Sequence, residues 1–270
     1  MAELVADTVA WRHLVGARIR GDLQYRTSFV LLLAGQALAS GLELAAIGAY
    51  FSAVDALAGW SAAEVVFLFG LTSVSYALAD VTLSPVDFAA RHIKAGTFDT
   101  FLLRPVGSLA QLVAHEFALR RAGRGVQPLV ALLVAATQID VAWGPAQVAM
   151  VLVALVTGVM TFSSLWVIFS AVAFWTVETQ ELGNSFTDGG RTLSSYPLDV
   201  MGAWLRRFAT FVLPLASLAY LPACWLLGKP PPFGLPAHAA WAGPLVALPL
   251  VVLARVTWAQ GLRHYRSTGS

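Results

Sequence analysis

Long apolar stretches alternate with short polar segments along the chain. A helix needs about 20 mostly apolar residues to cross the hydrocarbon core of a bilayer. Six stretches approach or exceed that length, and they occupy residues 28–53, 62–83, 126–139, 147–177, 203–227 and 239–258. The pattern predicts an all-α, polytopic membrane protein with about six transmembrane helices.

Two of the six stretches depart from a simple span. The third is short, and we expect its helix to begin a turn or two earlier, at basic side chains that reach for the membrane interface. These are Arg120, Arg121 and Arg124. The fifth is interrupted by Pro214 and Pro222, and proline disfavours a continuous helix.

Composition indicates lipid as the solvent. Of the 270 residues, 58% are hydrophobic and 12% are charged, whereas soluble domains carry about 25% charged residues. So little charge cannot cover a water-facing surface. The net charge of +2 is too small to indicate a nucleic-acid partner, so membrane lipids are the expected surroundings.

The basic residues are distributed unevenly. Four of the 17 Lys and Arg lie in 1–27, six in 85–125 and three from Arg255 onwards, so thirteen fall on one side if the chain crosses six times. Because cytoplasmic loops carry the excess of Lys and Arg, we expect both termini and the loop 85–125 in the cytoplasm. This divides the chain into an N-terminal segment 1–27, a transmembrane domain 28–258 and a tail 259–270.

The N-terminal segment 1–27 predicts an amphipathic helix at the membrane surface. Apolar side chains share one face of that helix, with Arg12, His13 and Arg18 off it. The alternative is an ordinary cytoplasmic helix. The apolar positions are Trp11, Leu14, Val15 and Ile19.

Two acidic residues fall inside predicted spans and are candidate intramembrane polar contacts. Glu43 either lines a translocation path or subunit interface, or is a hydrogen-bonded structural glutamate that faces a neighbouring helix. Asp80 is expected to pair with a basic residue such as Arg26 or Arg91, the alternative being titration during transport.

The segment 93–106 in the basic loop predicts a short helix of its own. Gly96 is suited to end one helix and Thr97 to cap the next. Asp99 then falls in the first turn, where the helix dipole favours an acid. Arg104 precedes a proline, a position that disfavours helix, so the helix ends there.

A hydrophobic ridge accompanies this short helix. It consists of Phe98, Phe101, Leu102 and Leu103. Such a ridge is suited to dock into a groove on a partner protein, and the alternative is packing against the chain's own helices.

Catalytic motifs are missing from the sequence. A phosphate-binding loop needs Gly-x-x-x-x-Gly-Lys-Ser/Thr, and neither Lys94 nor Lys229 lies in that context. His115 and Glu116 begin a zinc-protease motif, but no second histidine follows at the required spacing. We therefore expect no ATPase, no catalytic site and no metal site in this chain.

Two runs resemble a known family. Residues 93–106 (IKAGTFDTFLLRPV) and 196–228 (YPLDVMGAWLRRFATFVLPLASLAYLPACWLLG) are similar to the type-2 class of bacterial ATP-binding-cassette (ABC) transporter permeases. They most resemble the six-span subfamily with an Arg-Pro after the cytoplasmic helix and a late Tyr-Pro-Leu motif. The resemblance covers about 11–266.

The resemblance implies partners and roles that composition does not show. Such permeases act as homo- or heteromeric dimers bound to two nucleotide-binding subunits, which hold the ATP and Mg. Residues 96–104 correspond to the coupling helix that receives the ATPase motion. The fifth span becomes 178–197, followed by a re-entrant hairpin over 204–227. The expected re-entrant or break positions are Tyr196, Pro197, Pro214 and Pro222.

Together these features predict a permease subunit that exports a substrate across the bacterial inner membrane by alternating access. The sequence does not identify that substrate, and lipids, drugs, peptides and natural products would all suit an apolar cavity. One alternative is a channel or ion-driven carrier, which needs several intramembrane ionisable residues acting together. Another is an intramembrane lipid-modifying enzyme, for which the sequence offers no clustered nucleophile or acid–base pair.

Overall fold

The structure is a computed structural model that describes residues 16, 26–103, 107–117, 119–176 and 180–265. Helices dominate these ranges, which contain no strand beyond an isolated bridge between Leu57 and Trp60. The prediction of an all-α protein is confirmed. The amphipathic helix predicted in 1–27 and the residues Arg104 and Pro105 lie outside the described residues, apart from Gly16, Arg26 and Thr27.

Eleven α-helices occur in the described part of the chain and are numbered here in chain order. They are α1 (Arg26–Phe51), α2 (Ala62–Thr82), α3 (Ala89–Lys94), α4 (Asp99–Leu102), α5 (Ser108–His115), α6 (Gly123–Gln138), α7 (Pro145–Ala171), α8 (Gln180–Ser194), α9 (Ala203–Arg207), α10 (Tyr220–Leu226) and α11 (Gly243–His264). Short 3-10 turns and one π-helical turn connect several of them.

Helix α2 lies at the centre of the fold, packed against α6 and α7. Ser61 and Glu64 form a capping box at its start: the Ser61 amide donates to the Glu64 carboxylate, and the Glu64 amide to the Ser61 hydroxyl. Small residues let the neighbours approach closely, since a Cβ on Gly70 would lie 2.7 Å from Leu132 Cβ. We call the two ends of this core the Trp60 end and the Asp80 end.

Three helical segments within the described residues are long and apolar enough to cross a membrane: Ala62–Thr82, Pro145–Phe174 and Ala237–His264. Large apolar side chains are exposed around the outside, and an exposed apolar surface of this extent is typical of contact with lipid. Examples are Leu31, Leu38, Leu133, Leu152 and Leu245. The chain is thus a multi-pass, membrane-embedded protein.

Hydropathy alone predicted that the run 203–227 crosses the membrane as one span. In the structure this run does not form one continuous helix. Ala203–Val212 and Leu215–Leu226 are bent by 75° at a break that contains Pro214. Pro222 lies in the first turn of α10, where proline is tolerated, so it interrupts no helix. Tyr196 and Pro197 follow the end of α8.

The residues that flank this bent pair on either side contact the Trp60 end. Asp199, just before the first limb, accepts a hydrogen bond from Trp60 Nε1 at 2.9 Å. Lys229, just after the second, donates to the carbonyl of Gly59 at 2.8 Å. The bend itself reaches inward, because Leu215 is buried and lies beside Gly190 of α8.

Helix α8 runs antiparallel to α2 even though it is too polar to pass as a span by composition. Tyr76 donates a hydrogen bond to Asp188 at 2.5 Å, and Thr72 donates to the carbonyl of Ser194 at 2.8 Å. The later residue of α8 therefore contacts the earlier residue of α2. Helix α8 therefore runs away from the Asp80 end and toward the Trp60 end, where Asp199 lies.

Candidate functional site

A polar cavity of about 550 Å³ lies between α1, α2, α6, α7 and α8. Its volume falls in the range of about 300–1,000 Å³ that ligand pockets occupy. The charged and aromatic residues that line it are Glu43, Tyr76, Asp80, Asp87, Arg121, Arg124, Trp166, Asp188 and Arg191. The lining of this cavity is thus charged and polar rather than apolar.

Glu43 and Arg191 form a two-bond ion pair across the cavity. Arg191 Nη2 lies 2.6 Å from Glu43 Oε1, and Arg191 Nη1 lies 2.9 Å from Oε2. The pair joins α1 to α8, elements 148 positions apart in the chain. The Glu43 carboxylate is therefore hydrogen-bonded to a neighbouring helix, and the residue also lies on the cavity wall.

Asp80 is buried and pairs with two arginines that precede or begin α6. Arg124 Nη1 lies 2.8 Å from Asp80 Oδ2, and Arg121 Nη1 lies 3.3 Å from Oδ1. Asp80 therefore pairs with basic residues, as expected, although Arg91, one of the two examples named, contacts Glu116 instead. The side chain of Arg26 lies outside the described part.

Arg121 and Arg124, which we expected to reach for the membrane interface, both bind the carboxylate of Asp80. The start of α6 packs beside the end of α2, which brings both guanidinium groups onto a buried carboxylate. Helix α6 has 16 residues and spans about 24 Å at 1.5 Å per residue, less than the hydrocarbon core.

Two further acids face the cavity, and neither forms an ion pair with a described residue. Asp188 accepts the Tyr76 hydroxyl, and Asp87 accepts a hydrogen bond from Ser170 Oγ of α7 at 2.8 Å. Burial raises the pKa of Asp87 from 3.8 to about 6, although the Ser170 hydrogen bond and the nearby Arg121 oppose this. Asp87 lies in the 3-10 turn after α2.

Four carboxylates and three guanidinium groups therefore surround one cavity within a membrane protein. Such groups are costly in lipid and are found where they pair or line a wet passage. The sequence analysis identified two of the acids, Glu43 and Asp80. Asp87 was missed. Asp188 and Arg191 were not named as site residues either, and their signal was a run of polar residues at 184–191 between apolar stretches.

The predicted short helix in the basic loop is present as α4, but Thr97 does not cap it. Gly96 has a φ of 66°, a conformation that suits glycine, and it separates α3 from α4. The N-cap is Phe98 without a side-chain hydrogen bond, while Thr97 Oγ1 lies 2.9 Å from His92 Nδ1. Asp99 occupies the first turn of α4.

The hydrophobic ridge of α4 is divided between two surroundings. Phe98 and Phe101 are 0% and 6% exposed, whereas Leu102 and Leu103 are 47% and 85% exposed. The Phe98 ring packs among three aromatic rings at the ends of α7 and α11, with centroid distances of 5.2–6.4 Å. These rings are Phe174, Trp258 and Tyr265.

Helix α5 packs against α4 and forms a hydrogen bond to it. Gln111 Nε2 donates to the carbonyl of Phe101 at 3.0 Å, and Trp258 Nε1 of α11 lies 3.4 Å from Ser108 Oγ. The buried half of α4 is thus fixed to the helical core, and the two leucines project from it.

A family model described as "ABC-2 family transporter protein" matches residues 37–269. Neither the curated proteins nor the solved structures yield a significant match. The matched range includes the cavity and the loop that carries α4, and the family supplies transport components rather than enzymes. The chain belongs to the ABC-2 transporter family, as a membrane-embedded permease subunit of an ABC transporter.

Proposed function

We propose that this chain is the membrane-spanning subunit of an ATP-driven exporter that moves its substrate by alternating access. Separate nucleotide-binding subunits hydrolyse the ATP and dock against α4. The observation that carries this proposal is the division of α4, because two exposed leucines and two buried phenylalanines stand on one short helix. A surface that must bind a partner and transmit its movement needs both.

The outward half of α4 provides the docking surface. Leu102 and Leu103 are large, exposed apolar residues beside a basic loop, and an apolar anchor of this kind fills a pocket on a partner. The Gly96–Arg104 segment is the coupling helix on this account. Its last residue lies outside the described part of the chain.

The inward half provides the transmission. Phe98 contacts Phe174 at the end of α7 and Trp258 in the last turns of α11. Close packing resists compression, so a displacement of α4 moves the ends of both helices. Helix α7 also holds Trp166 in the cavity wall and Ser170, which donates to Asp87.

The charged cavity is the substrate path on this account. Its groups act in pairs that can exchange partners, and an exchange of partners accompanies alternation between inward and outward states. Because charges of both signs line it, the cargo is expected to be polar or charged where it contacts these residues.

We infer six crossings with both termini in the cytoplasm of a bacterial cell. Helices α1, α2, α6, α7 and α11 supply five crossings, and the 3-10 turn Leu119–Ala122 lengthens the short α6 at its start. The remaining crossing, the fifth in chain order, is α8, whose contacts follow α2 toward the Trp60 end. The bent pair then enters and leaves at that end as a re-entrant hairpin. This topology places the basic loop at the Asp80 end in the cytoplasm, as the positive-inside rule requires.

The working transporter on this account contains two nucleotide-binding subunits and a second permease, either a copy of this chain or a related one. The two-fold arrangement follows from the pairing of nucleotide-binding subunits around ATP, and each of them needs its own coupling helix.

Transport assays in inverted membrane vesicles test the proposal. The complex is tested with a panel of radiolabelled polar and charged small molecules, with and without ATP. We expect ATP-dependent accumulation of at least one compound, its loss in Arg191→Gln, and its retention in Asp55→Asn, a control at an exposed loop acid. Uptake that follows an ion gradient and ignores ATP would instead support the carrier alternative.

A further inference from the structure

Two histidines and a glutamate converge beside α4. His92 Nε2 lies 2.9 Å and His115 Nδ1 lies 3.4 Å from the same oxygen, Glu116 Oε1. The three ligand atoms all lie within 4.8 Å of one another. His92 comes from α3 and the other two come from the end of α5, so the cluster joins the helices that precede and follow α4 in the chain.

The distances from Glu116 Oε1 to the two imidazole nitrogens are close to those of a tetrahedral zinc site. Zinc binds imidazole nitrogen and carboxylate oxygen at about 2.0–2.2 Å, which places ligand atoms about 3.3 Å apart in a tetrahedron. The 2.9 and 3.4 Å separations need only a small adjustment. Two imidazoles favour zinc or a similar transition metal over magnesium or calcium, which prefer oxygen ligands.

The surroundings of His92 fit a metal ligand. A ligating histidine normally donates its second ring N–H to an oxygen, which fixes the ring. His92 Nδ1 lies 2.9 Å from Thr97 Oγ1, and the Thr97 hydroxyl faces the carbonyl of residue 92 at 3.4 Å. With Nδ1–H donating to Thr97, the Nε2 atom that faces Glu116 is the one available to the ion.

The two carboxylate oxygens of Glu116 have different partners: Oε1 faces the two histidines, and Oε2 faces the guanidinium group of Arg91. Arg91 Nη2 contacts Oε2 at 3.5 Å, so it leaves Oε1 to the two imidazoles. The side chains of His92 and Glu116 are 13% and 18% exposed, whereas His115 is 52% exposed. The cluster is therefore ordered by burial on one side and open on the other, where an ion enters and a water completes the fourth position.

We propose that His92, His115 and Glu116 form a zinc site that ties the end of α3 to the end of α5. The metal closes the base of the loop that carries α4. Both imidazole rings also contact Phe101 edge-on, at centroid distances of 5.1 and 5.6 Å. A metal that fixes these rings therefore also restrains the buried half of α4.

Metal binding itself is independent of the proposed function, whereas an effect of the metal on coupling rests on it. A restrained loop transmits the motion of a docked ATPase with less loss. We therefore expect zinc to increase permease-dependent ATPase activity a few-fold in the assembled transporter.

Zinc titration of the full chain in lipid nanodiscs tests the site. The protein is purified with a tag that contains no histidine, stripped with a chelator and titrated with zinc alone by calorimetry. We expect one zinc per chain in the wild type and in His238→Ala, an exposed histidine outside the cluster. We expect at least a tenfold weaker affinity in His115→Ala and in Glu116→Gln.

Cobalt provides a second readout that a hydrogen-bonded ion pair would not give. Cobalt bound to the wild type is expected to show the intense visible bands of tetrahedral coordination, and the bands should be absent from His92→Gln. Because His115 is half exposed, His115→Ala should melt within a degree or two of the wild type in the absence of metal, which separates lost binding from lost folding.

Binding no stronger in the wild type than in His115→Ala would overturn the proposal and leave an ion pair without metal. Zinc binding with unchanged ATPase activity would overturn only the effect on coupling. Intact zinc binding in a wild type and a His238→Ala variant that both lack permease-dependent ATPase activity, with and without zinc, would count against the proposed function instead.

Discussion

The ring of Phe98 lies 5.3 Å from the ring of Phe174, in an edge-to-face arrangement. This contact joins the short helix α4 to the end of α7, which is one of the long apolar helices. Phe174 in turn packs over Gly261 of α11, where an added Cβ would come within 2.3 Å of the ring. Little free space separates α4 from the two helices it contacts.

Phe98→Ala should uncouple the transporter without releasing the ATPase. Truncation removes the contact with α7 and α11 but leaves Leu102 and Leu103 exposed. We expect the nucleotide-binding subunit to co-purify as before while ATP-dependent transport falls at least tenfold. Phe98→Leu, which keeps most of the apolar volume, should retain more transport than Phe98→Ala. Equal transport in the wild type and Phe98→Ala would show that the motion takes another path.

Exchanging the charges of Glu43 and Arg191 tests whether their ion pair joins α1 to α8. Glu43→Arg and Arg191→Glu should each lower stability by about 2 kcal/mol, between the values for exposed and buried pairs, since Glu43 is 40% exposed. The double variant restores an opposite-charge pair and should recover at least half of that loss. Thermal unfolding in detergent measures this. Strictly additive losses would mean that the two residues do not interact.

Asp87 should make stability depend on pH. Its pKa in the folded protein, about 6, lies above the ordinary 3.8. The ionised carboxylate therefore lowers the free energy of unfolding above pH 6, and this destabilisation decreases as the pH falls from 6 towards 4. Asp87→Asn should melt at a higher temperature than the wild type at pH 7.5, with a difference that shrinks at pH 5.

Asp55→Asn is the matched control for this change, because Asp55 is an exposed loop acid. It should show no such pH-dependent difference. A melting difference for Asp87→Asn that is the same at both pH values would rule out the raised pKa.

Gly158 tests the close packing of α7 against α2. A Cβ there would lie 2.4 Å from Ser75 Cβ, so Gly158→Ala forces the helices apart and should destabilise the protein by about 1–3 kcal/mol. On α1, Gly48 has nothing within 4 Å of the same position. Gly48→Ala should be neutral or stabilising by up to about 1 kcal/mol. Equal melting temperatures for the two variants would contradict the packing.

The apolar pattern predicted the long helices closely. The run 62–83 is α2, Ala62–Thr82, because an uninterrupted apolar stretch of that length has few other solutions in lipid. Hydropathy failed at α8, where Asn184, Asp188 and Arg191 look like a loop. The charged side chains of Asp188 and Arg191 bind residues of α2 and α1, respectively. Such partners depend on the tertiary arrangement rather than on local composition.

The coupling segment shows the same limit on a smaller scale. Gly96 and Asp99 were predicted at the positions they occupy, since backbone conformation and helix dipole are local properties. The division between Phe98 and Leu102 was not, because burial is decided by the ends of α7 and α11. The meeting of His92 with Glu116 also depends on how α3 and α5 return beside α4.

The most direct test of the coupling role is the double variant Leu102→Glu and Leu103→Glu, co-produced with the nucleotide-binding subunit. Leu102→Met with Leu103→Met is the matched control, because it keeps the surface apolar. The account predicts that the wild type and the methionine variant retain the bound subunit and its ATPase activity, while the glutamate variant loses both at least tenfold without a lower melting temperature. A glutamate variant that still binds the subunit and hydrolyses ATP like the wild type would contradict the account.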